Sequence, residues 1–425
     1  MLVEFSISNF RSIKELQSIN FIASPLKKGK DVLLEENLIA TKEDFKLLKS
    51  LGLYGANGSG KSNIVKGLMN FFIIVRDVMS QEATVLESKI EPFYFDDTSK
   101  DKPTFFQIQF ILEDKMYRYG FEANQKEIIS EWLFGPAKQN DTFYFTRNKE
   151  EGLKINTTYF KEAAGLEKNL SNTNLFLNVV NALNGSIAKK IKFYFQSSFA
   201  ISMGVSDIGF RKFSLEMLSN EHSKKQVINF LNTADVGIEN IFELESSLEE
   251  HEIRNESNNE TSKFKPLIGT RSNFDSSDKV IGSTDYLFDV IESEGTKKLF
   301  NYAGALLNAL QFGKIFVVDE FDARLHTNLT KRIIKMFNSE KINKLGAQIL
   351  FVTHDTNLLK NDLLRRDQIY FAEKDLKGRT SYFSLYDFKG VRNDASFEKE
   401  YVTGTYGAIP FLGDFNELFE SDETN

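Results

Sequence analysis

Apolar and polar positions alternate at the start of the chain, which predicts a strand with one buried face. In MLVEFSISNF (1–10), every second residue from Val3 to Ile7 is apolar. Residues 47–54, LLKSLGLY, form a mostly apolar run that is typical of a buried strand. From 62 to 79 the apolar residues recur at helical spacing, at Ile64, Leu68, Phe71, Val75 and Val78. The chain therefore opens with a strand, a loop and a helix.

Residues 103–134 alternate again and predict three strands joined by turns at Glu113-Asp114 and Asn124-Gln125. Such short connections are typical of an antiparallel meander. We assign residues 1–158 to one half of the main domain on this basis.

The middle of the chain has a different character. Residues 159–245 contain Leu-, Ala-, Asn- and Lys-rich stretches with helical periodicity, which predict a helical insertion. Residues 246–284 are rich in polar and charged side chains, and we predict a flexible polar loop there.

Residues 285–425 alternate between helix and strand patterns. The predicted elements are a helix at 296–310, a strand at 314–320, a helix from 328, a strand at 348–354, a further helix and a strand at 368–374. Strands that alternate with helices predict a mostly parallel sheet, so the fold class is α/β.

Composition narrows the chemistry. The 425 residues include no cysteine, which excludes disulfides, thiolate catalysis and cysteine-based zinc sites. The four histidines lack metal-ligand spacing, so Mg²⁺ is the metal that remains to be considered. The net charge of −7 argues against a surface coated with basic side chains for nucleic acid. Because no apolar run reaches the roughly 18 residues of a membrane span, we predict a soluble, cytoplasmic protein without a membrane partner.

A glycine-rich loop follows the strand at 47–54 and precedes the first helix. Its residues are Gly55, Ala56, Asn57, Gly58, Ser59, Gly60, Lys61 and Ser62, with Asn63 next in the helix. They satisfy the GxxxxGK[ST] pattern, in which backbone N–H groups cradle phosphates, the lysine reaches the β- and γ-phosphates, and the serine hydroxyl holds Mg²⁺. The loop is therefore predicted to bind a nucleotide, with ATP and Mg²⁺ as cofactors.

Two later strands end in side chains that complete such a site. IFVVDE places Asp319 where it can hold Mg²⁺ and Glu320 where it can act on the attacking water. In ILFVTHD (349–355) the predicted strand ends at His354, which we predict donates to the γ-phosphate. The predicted catalytic residues are thus Glu320, His354 and Lys61, and the predicted metal ligands are Ser62 and Asp319.

These motifs, in this order, resemble the ABC-type ATPase heads of the SMC, RecF and OLD proteins. Within that group the chain is most similar to the AAA-type ATP-binding proteins of the RloA/AbiLi family, found in bacterial antiphage and restriction-linked loci. The resemblance is carried by NFRSIKE (9–15), GANGSGKSN (55–63), ESEGTKKLF (292–300), VVDEFDARLH (317–326), FVTHDTNLL (351–359) and GTYGAIPFLGDF (404–415).

The resemblance implies an ABC-type P-loop ATPase head, with a mixed sheet, flanking helices and an antiparallel β subdomain, in which two subunits enclose two ATP molecules. Ser293, Gly295 and Thr296 then form the signature that contacts the partner's γ-phosphate, although Ser293 or Thr296 is equally well explained as a helix N-cap. Asp322 and Arg324 would lie at the subunit interface. Gln81, Gln107 and Gln109 are candidates for the Q-loop glutamine, and Arg11 is either close to the nucleotide or a surface residue.

Two functions fit the sequence. The first is a homodimeric or larger homo-oligomeric ATPase that acts as sensor and scaffold in antiphage defence. It would control a separately encoded effector, such as a nuclease, through the helical insertion, and a nucleic acid or phage product would trigger it. The second is a DNA-binding clamp of the RecF or SMC type in repair or recombination, which predicts a basic channel and salt-sensitive binding.

Overall fold

The structure, a computed structural model, describes most of the chain. The described residues are 1–26, 30–77, 84–136, 142–204, 207–234, 236–244, 251–254, 261–391 and 395–410.

Within these ranges the strands and helices follow one another along the chain. The strands are β1 (Leu2–Ser8), β2 (Gln17–Asn20), β3 (Leu38–Ala40), β4 (Lys46–Leu48), β5 (Ser50–Gly55), β6 (Thr104–Leu112), β7 (Lys115–Ala123), β8 (Ile128–Gly135), β9 (Thr142–Asn148), β10 (Gly152–Ile155), β11 (Phe199–Ser202), β12 (Asn240–Glu243), β13 (His251–Arg254), β14 (Thr261–Phe264), β15 (Leu267–Phe274), β16 (Val280–Leu287), β17 (Ile315–Val318), β18 (Gln348–Val352), β19 (Ile369–Lys374) and β20 (Thr380–Ser384). The α-helices are α1 (Lys61–Arg76), α2 (Thr84–Lys89), α3 (Phe176–Ala182), α4 (Ser186–Ser197), α5 (Ile208–Leu218), α6 (Glu221–Asn232), α7 (Phe288–Ile291), α8 (Glu294–Phe312), α9 (Thr327–Asn338) and α10 (Phe397–Val402). Short 3-10 helices span Lys30–Asn37, Ser99–Asp101, Lys161–Ala163, Glu167–Asn169, Thr356–Leu358, Arg366–Gln368 and Leu385–Asp387.

A mixed sheet with the strand order β11-β17-β18-β5-β19-β20 forms the centre of the fold. Its first five strands are parallel to one another, and β20 is antiparallel to β19. Because side chains on a strand point alternately to opposite faces, each strand contributes side chains to two hydrophobic cores. Ile315 and Val317 face the core that includes α1 and α4, whereas Phe316 and Val318 face the core that includes α8 and α9. This double burial explains why β17, IFVV, is a continuous apolar run.

A second, antiparallel sheet has the order β10-β9-β8-β7-β6-β1-β2 and covers α1. The predicted meander is confirmed, and the N-terminal strand joins it. Glu113 and Asp114, which connect β6 to β7, both have positive φ angles, of 51° and 60°. Two consecutive residues of this kind form the type I′ turn that suits the twist of a two-residue hairpin.

The side chain of Gln348 joins the two large sheets. Gln348 begins β18 and is fully buried. Its Oε1 accepts a hydrogen bond from the Leu2 N–H at 2.7 Å, and its Nε2 donates to the Leu2 carbonyl at 2.9 Å. The Gln348 side-chain amide thus pairs with β1 as a neighbouring strand would. It satisfies the N–H and the carbonyl of Leu2, which no strand of the central sheet reaches.

The predicted helical insertion at 159–245 does contain helices, α3 to α6, but its boundaries do not enclose a separate unit. The same segment contributes β11, which pairs in parallel with β17 at the edge of the central sheet. Helix α5 packs along α8, where the Ser214 hydroxyl donates to the Phe300 carbonyl at 2.5 Å. The segment is therefore built into the main domain.

The prediction of a flexible polar loop at 246–284 is wrong for its described residues. Residues 267–274 and 280–287 form an antiparallel hairpin, and 251–254 pairs with 261–264. Composition does not reveal a polar hairpin of this kind, because cross-strand hydrogen bonds stabilise it. One example is the bond that Thr270 Oγ1 donates to the Asp285 carboxylate at 2.6 Å. Residues 246–250 and 255–260 of the predicted loop lie outside the described residues.

The helix predicted between β18 and β19 is also wrong. That segment contains only the two 3-10 turns Thr356–Leu358 and Arg366–Gln368. Asp355 accepts a hydrogen bond from the Asn357 N–H at 3.0 Å, and Asp367 forms a buried ion pair with Arg365. Such local contacts of Asp side chains compete with a continuous helix.

Within the described ranges, no helix combines the length and apolar character that crossing a membrane requires.

Replacing Gln348 with Leu should lower the free energy of unfolding by about 2–4 kcal/mol, because the Leu2 N–H and carbonyl would stay buried without partners. Urea denaturation followed by circular dichroism measures this loss. Gln196→Leu is the control, since Gln196 is exposed on α4 and its replacement should change stability by no more than about 0.5 kcal/mol. Equal effects of the two substitutions would show that the amide does not join the sheets.

Candidate active site

The loop 55–62 connects the end of β5 to the start of α1. Gly60, the N-cap of α1, has a φ angle of 96°, and a Cβ atom there would overlap the hydroxyl of Thr380. A Cβ atom on Gly55 would overlap the carbonyl oxygen of Ala372 on the neighbouring strand β19. Glycine is required at both positions by backbone conformation and close packing. The loop consequently exposes backbone N–H groups at the positive end of α1, which suits an anion.

Lys61 and Ser59 point to the same type of ligand. The Lys61 side chain is buried, and its ammonium group donates to the carbonyls of Gly55 and Ala56, both at 2.7 Å. Burial lowers the pKa of Lys61 to about 8, while the charges of Asp319 and Asp322 act in the opposite direction. The Ser59 hydroxyl is buried without a hydrogen-bond partner. A buried cation and an unpaired hydroxyl within a loop of N–H donors fit the phosphates of a nucleotide.

Asp319 directly follows β17, and its carboxylate lies at the start of α1. The Ser62 hydroxyl hydrogen bonds to it, and the Glu320 N–H donates to its Oδ1 at 2.9 Å. Burial raises the pKa of Asp319, and these hydrogen bonds and Lys61 oppose that rise. One hydroxyl and one carboxylate fit Mg²⁺, which protein sites commonly bind through one or two side chains together with substrate phosphates and water. Among the described residues no group of three or more Asp, Glu or His side chains could hold a metal independently of the nucleotide.

Glu320 has an exposed side chain and an unusual backbone. Its φ angle is 47°, in the left-handed region that few residues other than glycine adopt. The next N–H, of Phe321, donates to the Val352 carbonyl at 2.9 Å, so the chain remains tied to β18 while Glu320 turns away from the sheet. Left-handed backbone at a non-glycine residue is often retained where it orients a functional side chain.

His354 follows β18 and shares a partner with the segment after β17. Asp322 accepts hydrogen bonds from the Thr353 hydroxyl at 2.6 Å and from the His354 N–H at 3.2 Å. Burial and the charge of Lys61 lower the pKa of His354, against the opposing effect of Asp322 and Glu320. Its imidazole is therefore neutral at neutral pH and can donate one hydrogen bond without adding charge.

The proposed signature lies at the N-terminus of α8. Ser293 is the N-cap, and its hydroxyl accepts from the Thr296 N–H at 3.2 Å, so the helix-cap interpretation is correct in the isolated chain. Glu294 forms an ion pair with Arg324 at 2.7 Å, and Gly295 lies against the Arg324 carbonyl. The proposed signature thus lies beside the segment after β17, and β18 separates β17 from β5, the strand that precedes the phosphate loop.

Four residues that support the loop were not predicted as a group. Thr380 Oγ1 donates to the Ser59 carbonyl at 2.8 Å and pairs with the Ser12 hydroxyl at 2.7 Å. Asn63 Nδ2 donates to Ser12 at 2.6 Å, and the Tyr382 hydroxyl donates to the Gly60 carbonyl at 2.7 Å. Ser12 lies within the motif NFRSIKE, but no pattern indicates that β20 packs behind the loop.

Other sequence candidates lie elsewhere. Arg11 pairs with Glu91 at 3.2 Å, as expected for the surface alternative. Gln107 accepts from the Trp132 indole and Gln109 donates to Glu4, so both belong to the antiparallel sheet. Gln81 lies outside the described residues.

The closing motif packs beside the phosphate loop. A cavity of about 300 Å³ is lined by residues 56–59, the end of β19 and residues 408–410. Ala408, with a φ angle of 55°, donates its N–H to Glu373 at 3.4 Å, and its carbonyl accepts from Tyr401 at 3.0 Å. Residues 411–415 of the motif lie outside the described residues.

The fold and the loop geometry are those of a P-loop ATPase domain. The chain belongs to the family described as "AAA domain, putative AbiEii toxin, Type IV TA system", which matches residues 50–360. Among solved structures, the SMC head domain from Thermotoga maritima is similar at 12% sequence identity with a TM-score of 0.40, over 90% of this chain and 98% of that one. The comparison with curated proteins gave no match.

Removing the Thr380 hydroxyl should weaken nucleotide binding. Thr380→Val keeps the shape of the side chain but loses the hydrogen bonds to Ser59 and Ser12, so we expect the dissociation constant for ADP to rise about 3- to 10-fold. Isothermal titration calorimetry measures it. Ser381→Ala, at the exposed neighbouring position of β20, should leave it unchanged; no difference between the two variants would exclude the role of Thr380.

Nucleotide binding should take up protons at alkaline pH. With a pKa of about 8, Lys61 is mostly protonated in the free protein at about pH 7 and mostly neutral at about pH 9. Because bound phosphate favours the charged form, binding at about pH 9 should be accompanied by the uptake of close to one proton. Affinity consequently falls as the pH rises above 8. Calorimetry in buffers of different ionisation enthalpy measures the uptake. Lys192→Met is the control because burial also lowers the pKa of Lys192 to about 8, far from the loop; uptake that vanishes in this variant would exclude Lys61 as its source.

Proposed function

We propose that the protein binds and hydrolyses ATP with Mg²⁺, and that ATP closes a homodimer which controls a separately encoded effector. The observation that supports hydrolysis most directly is the grouping at one edge of the sheet. The phosphate loop after β5, Asp319 and Glu320 after β17, and His354 after β18 all leave the sheet at its carboxyl edge. Phosphoryl transfer to water requires this set: a phosphate cradle, a metal carboxylate and a group that orients water.

Each side chain has a role that follows from its position. The loop N–H groups and Lys61 bind the β- and γ-phosphates, and Lys61 exchanges its two carbonyl partners for phosphate oxygens. Ser62 and Asp319 hold Mg²⁺, which would neutralise phosphate charge. Glu320 orients the attacking water and accepts its proton, because its carboxylate is exposed beside Asp319. His354 donates a hydrogen bond to the γ-phosphate.

The dimer is proposed from the position of the signature. Ser293 and Glu294 are exposed at the start of α8, and Gly295 is half-buried next to them. This end of the helix lies beside the segment after β17, and β18 separates β17 from β5. The N–H groups of a helix terminus there can serve a γ-phosphate bound to a second copy. Arg324 and Asp322 lie between the signature and His354, which suits them to an interface that senses both sites.

Effector control is supported by the resemblance to antiphage ATPases and by the toxin–antitoxin description of the family. The structure changes how the helical segment can take part. Because β11 lies within 159–245 and the Ser202 carbonyl accepts from the Asp319 N–H at 3.0 Å, deletion of that segment would damage the metal site. We propose instead that the effector binds the outer surfaces of α5 and α6, which pack on the signature helix α8.

The solution mass of Glu320→Gln tests the ATP-closed dimer. This variant should bind ATP but not hydrolyse it, since the amide cannot accept a proton, so the ATP-bound state accumulates. We expect light scattering to show a shift from monomer to dimer when ATP and Mg²⁺ are added. Lys61→Met, which loses the phosphate cation, should stay monomeric under the same conditions.

A dimer that forms equally in Lys61→Met would refute ATP-driven closure. A Glu320→Gln variant that hydrolyses ATP as fast as the unmodified protein would refute the role of Glu320.

A further inference from the structure

Lys298 is a buried lysine that the mechanism above leaves without a role. It lies on α8, five residues after Ser293, and its side chain is only 4% exposed. Burying an ammonium group is costly unless it finds hydrogen-bonding and charged partners. Its Nζ donates to the backbone carbonyl of Glu320 at 3.1 Å and lies 5.3 Å from the centre of the Tyr302 ring. The hydrogen bond of Lys298 is therefore made to the backbone of Glu320, the proposed catalytic residue.

That carbonyl belongs to the residue with the strained backbone. The Glu320 carbonyl also accepts from the Ala323 N–H at 3.0 Å, which closes the turn after β17. Left-handed backbone is energetically unfavourable at a residue such as glutamate, so neighbouring contacts must hold it. The bond from Lys298 is one such contact, and it fixes the direction of the Glu320 peptide.

A second contact holds the turn from another side. Gly204, just after β11, has a φ angle of 81°, and a Cβ atom there would lie 2.8 Å from the Glu320 Cβ and overlap the Asp319 carbonyl. The backbone at Gly204 is thus packed directly against the Asp319–Glu320 peptide. Glu320 is held between this backbone and the ammonium group of Lys298.

The charges around Lys298 complete the arrangement. Burial lowers its pKa, whereas the carboxylates of Asp207, Glu320 and Asp322 oppose that change and the nearby Arg324 reinforces it. Asp207 is the N-cap residue of α5 and accepts from the Ser202 hydroxyl at 2.8 Å. The ammonium group therefore lies among carboxylates that partly offset the cost of its burial, next to the Glu320 carbonyl.

We propose that Lys298 is a positioning residue for hydrolysis: by binding the Glu320 carbonyl it holds Glu320 in the left-handed conformation that directs its carboxylate towards the attacking water. The inference rests on the proposed function, in which Glu320 orients that water. Helix α8 would then have two roles. It carries the proposed signature at its N-cap and, just over one turn later, the Lys298 side chain that fixes Glu320.

Lys298→Met tests this proposal, because methionine fills similar space without the ammonium group. We expect kcat for ATP to fall at least about 10-fold, since small misplacements of a catalytic group cost up to about 100-fold. The dissociation constant for a non-hydrolysable ATP analogue should change less than about twofold, because the phosphate loop is untouched. Lys298→Arg, which restores a cationic donor, should recover part of kcat.

The matched control is Lys192→Met. Lys192 is 5% exposed and likewise donates to a backbone carbonyl, that of Val75, and to Asn178 at 2.7 Å, but it lies on α4 away from the site. It should reproduce any general effect of removing a buried lysine and leave kcat unchanged. Equal kcat losses in Lys298→Met and Lys192→Met, or a loss in Lys298→Met that appears only in nucleotide affinity, would overturn the proposal.

A crystal structure of Lys298→Met separates this inference from the proposed function. We expect Glu320 to leave the left-handed region in the variant. If its φ angle stays positive and the turn is unchanged, the positioning role is refuted whether or not the protein hydrolyses ATP. If the unmodified protein shows no ATPase activity, the proposed function fails, while the conformation of Glu320 in the variant still decides the role of Lys298.

Discussion

The parallel pairing of β17, β18 and β5 is the constraint on which the rest of the site depends. Val318 pairs with Phe351 and Val352 with Leu53, so the three strands end within a few residues of one another. Two bonds extend the register beyond the strands, from Phe321 N–H to Val352 and from Thr353 N–H to Leu53. Because main-chain hydrogen bonds fix these positions, the acidic pair, the histidine and the phosphate loop meet without any side chain having to reach far.

The site concentrates buried charge, and its partners explain how the fold tolerates it. Asp319 is buried, but it receives bonds from Ser62 and the Glu320 N–H. The Lys61 ammonium group has only two loop carbonyls as partners, and the Ser59 hydroxyl has no hydrogen-bond partner. The proposed metal ligands are thus hydrogen-bonded in the free chain, whereas the hydrogen-bond donors of the loop are incompletely paired. Such an imbalance favours the binding of an anion over a closed, ligand-free packing.

The sequence predicts the loop, the acidic strand end and the histidine because each is a local pattern of fixed spacing. It also predicts α1, α8 and the meander, where periodicity is strong. It does not predict Gln348, Thr380 or Ser12, because their partners lie hundreds of residues away in the chain and a single polar residue carries no spacing. The sequence also does not predict that β11 belongs to the central sheet, for a related reason. Four residues, FAIS, between helical segments resemble a helix end until β17 is placed beside them.

Helix α8 connects parts of the site that the sequence shows as separate motifs. Its N-cap Ser293 faces outward, Glu294 reaches Arg324, and Lys298 reaches the Glu320 carbonyl. Ser214 on α5 binds the same helix at Phe300 and also accepts from the Gly304 N–H at 2.8 Å. A packed helix moves as a unit, because its backbone bonds are far stiffer than the contacts around it. Any ligand that displaces the start of α8 must therefore also disturb the turn that holds Glu320 or the packing of α5, and this requirement links the outer surface of the molecule to the proposed catalytic carboxylate.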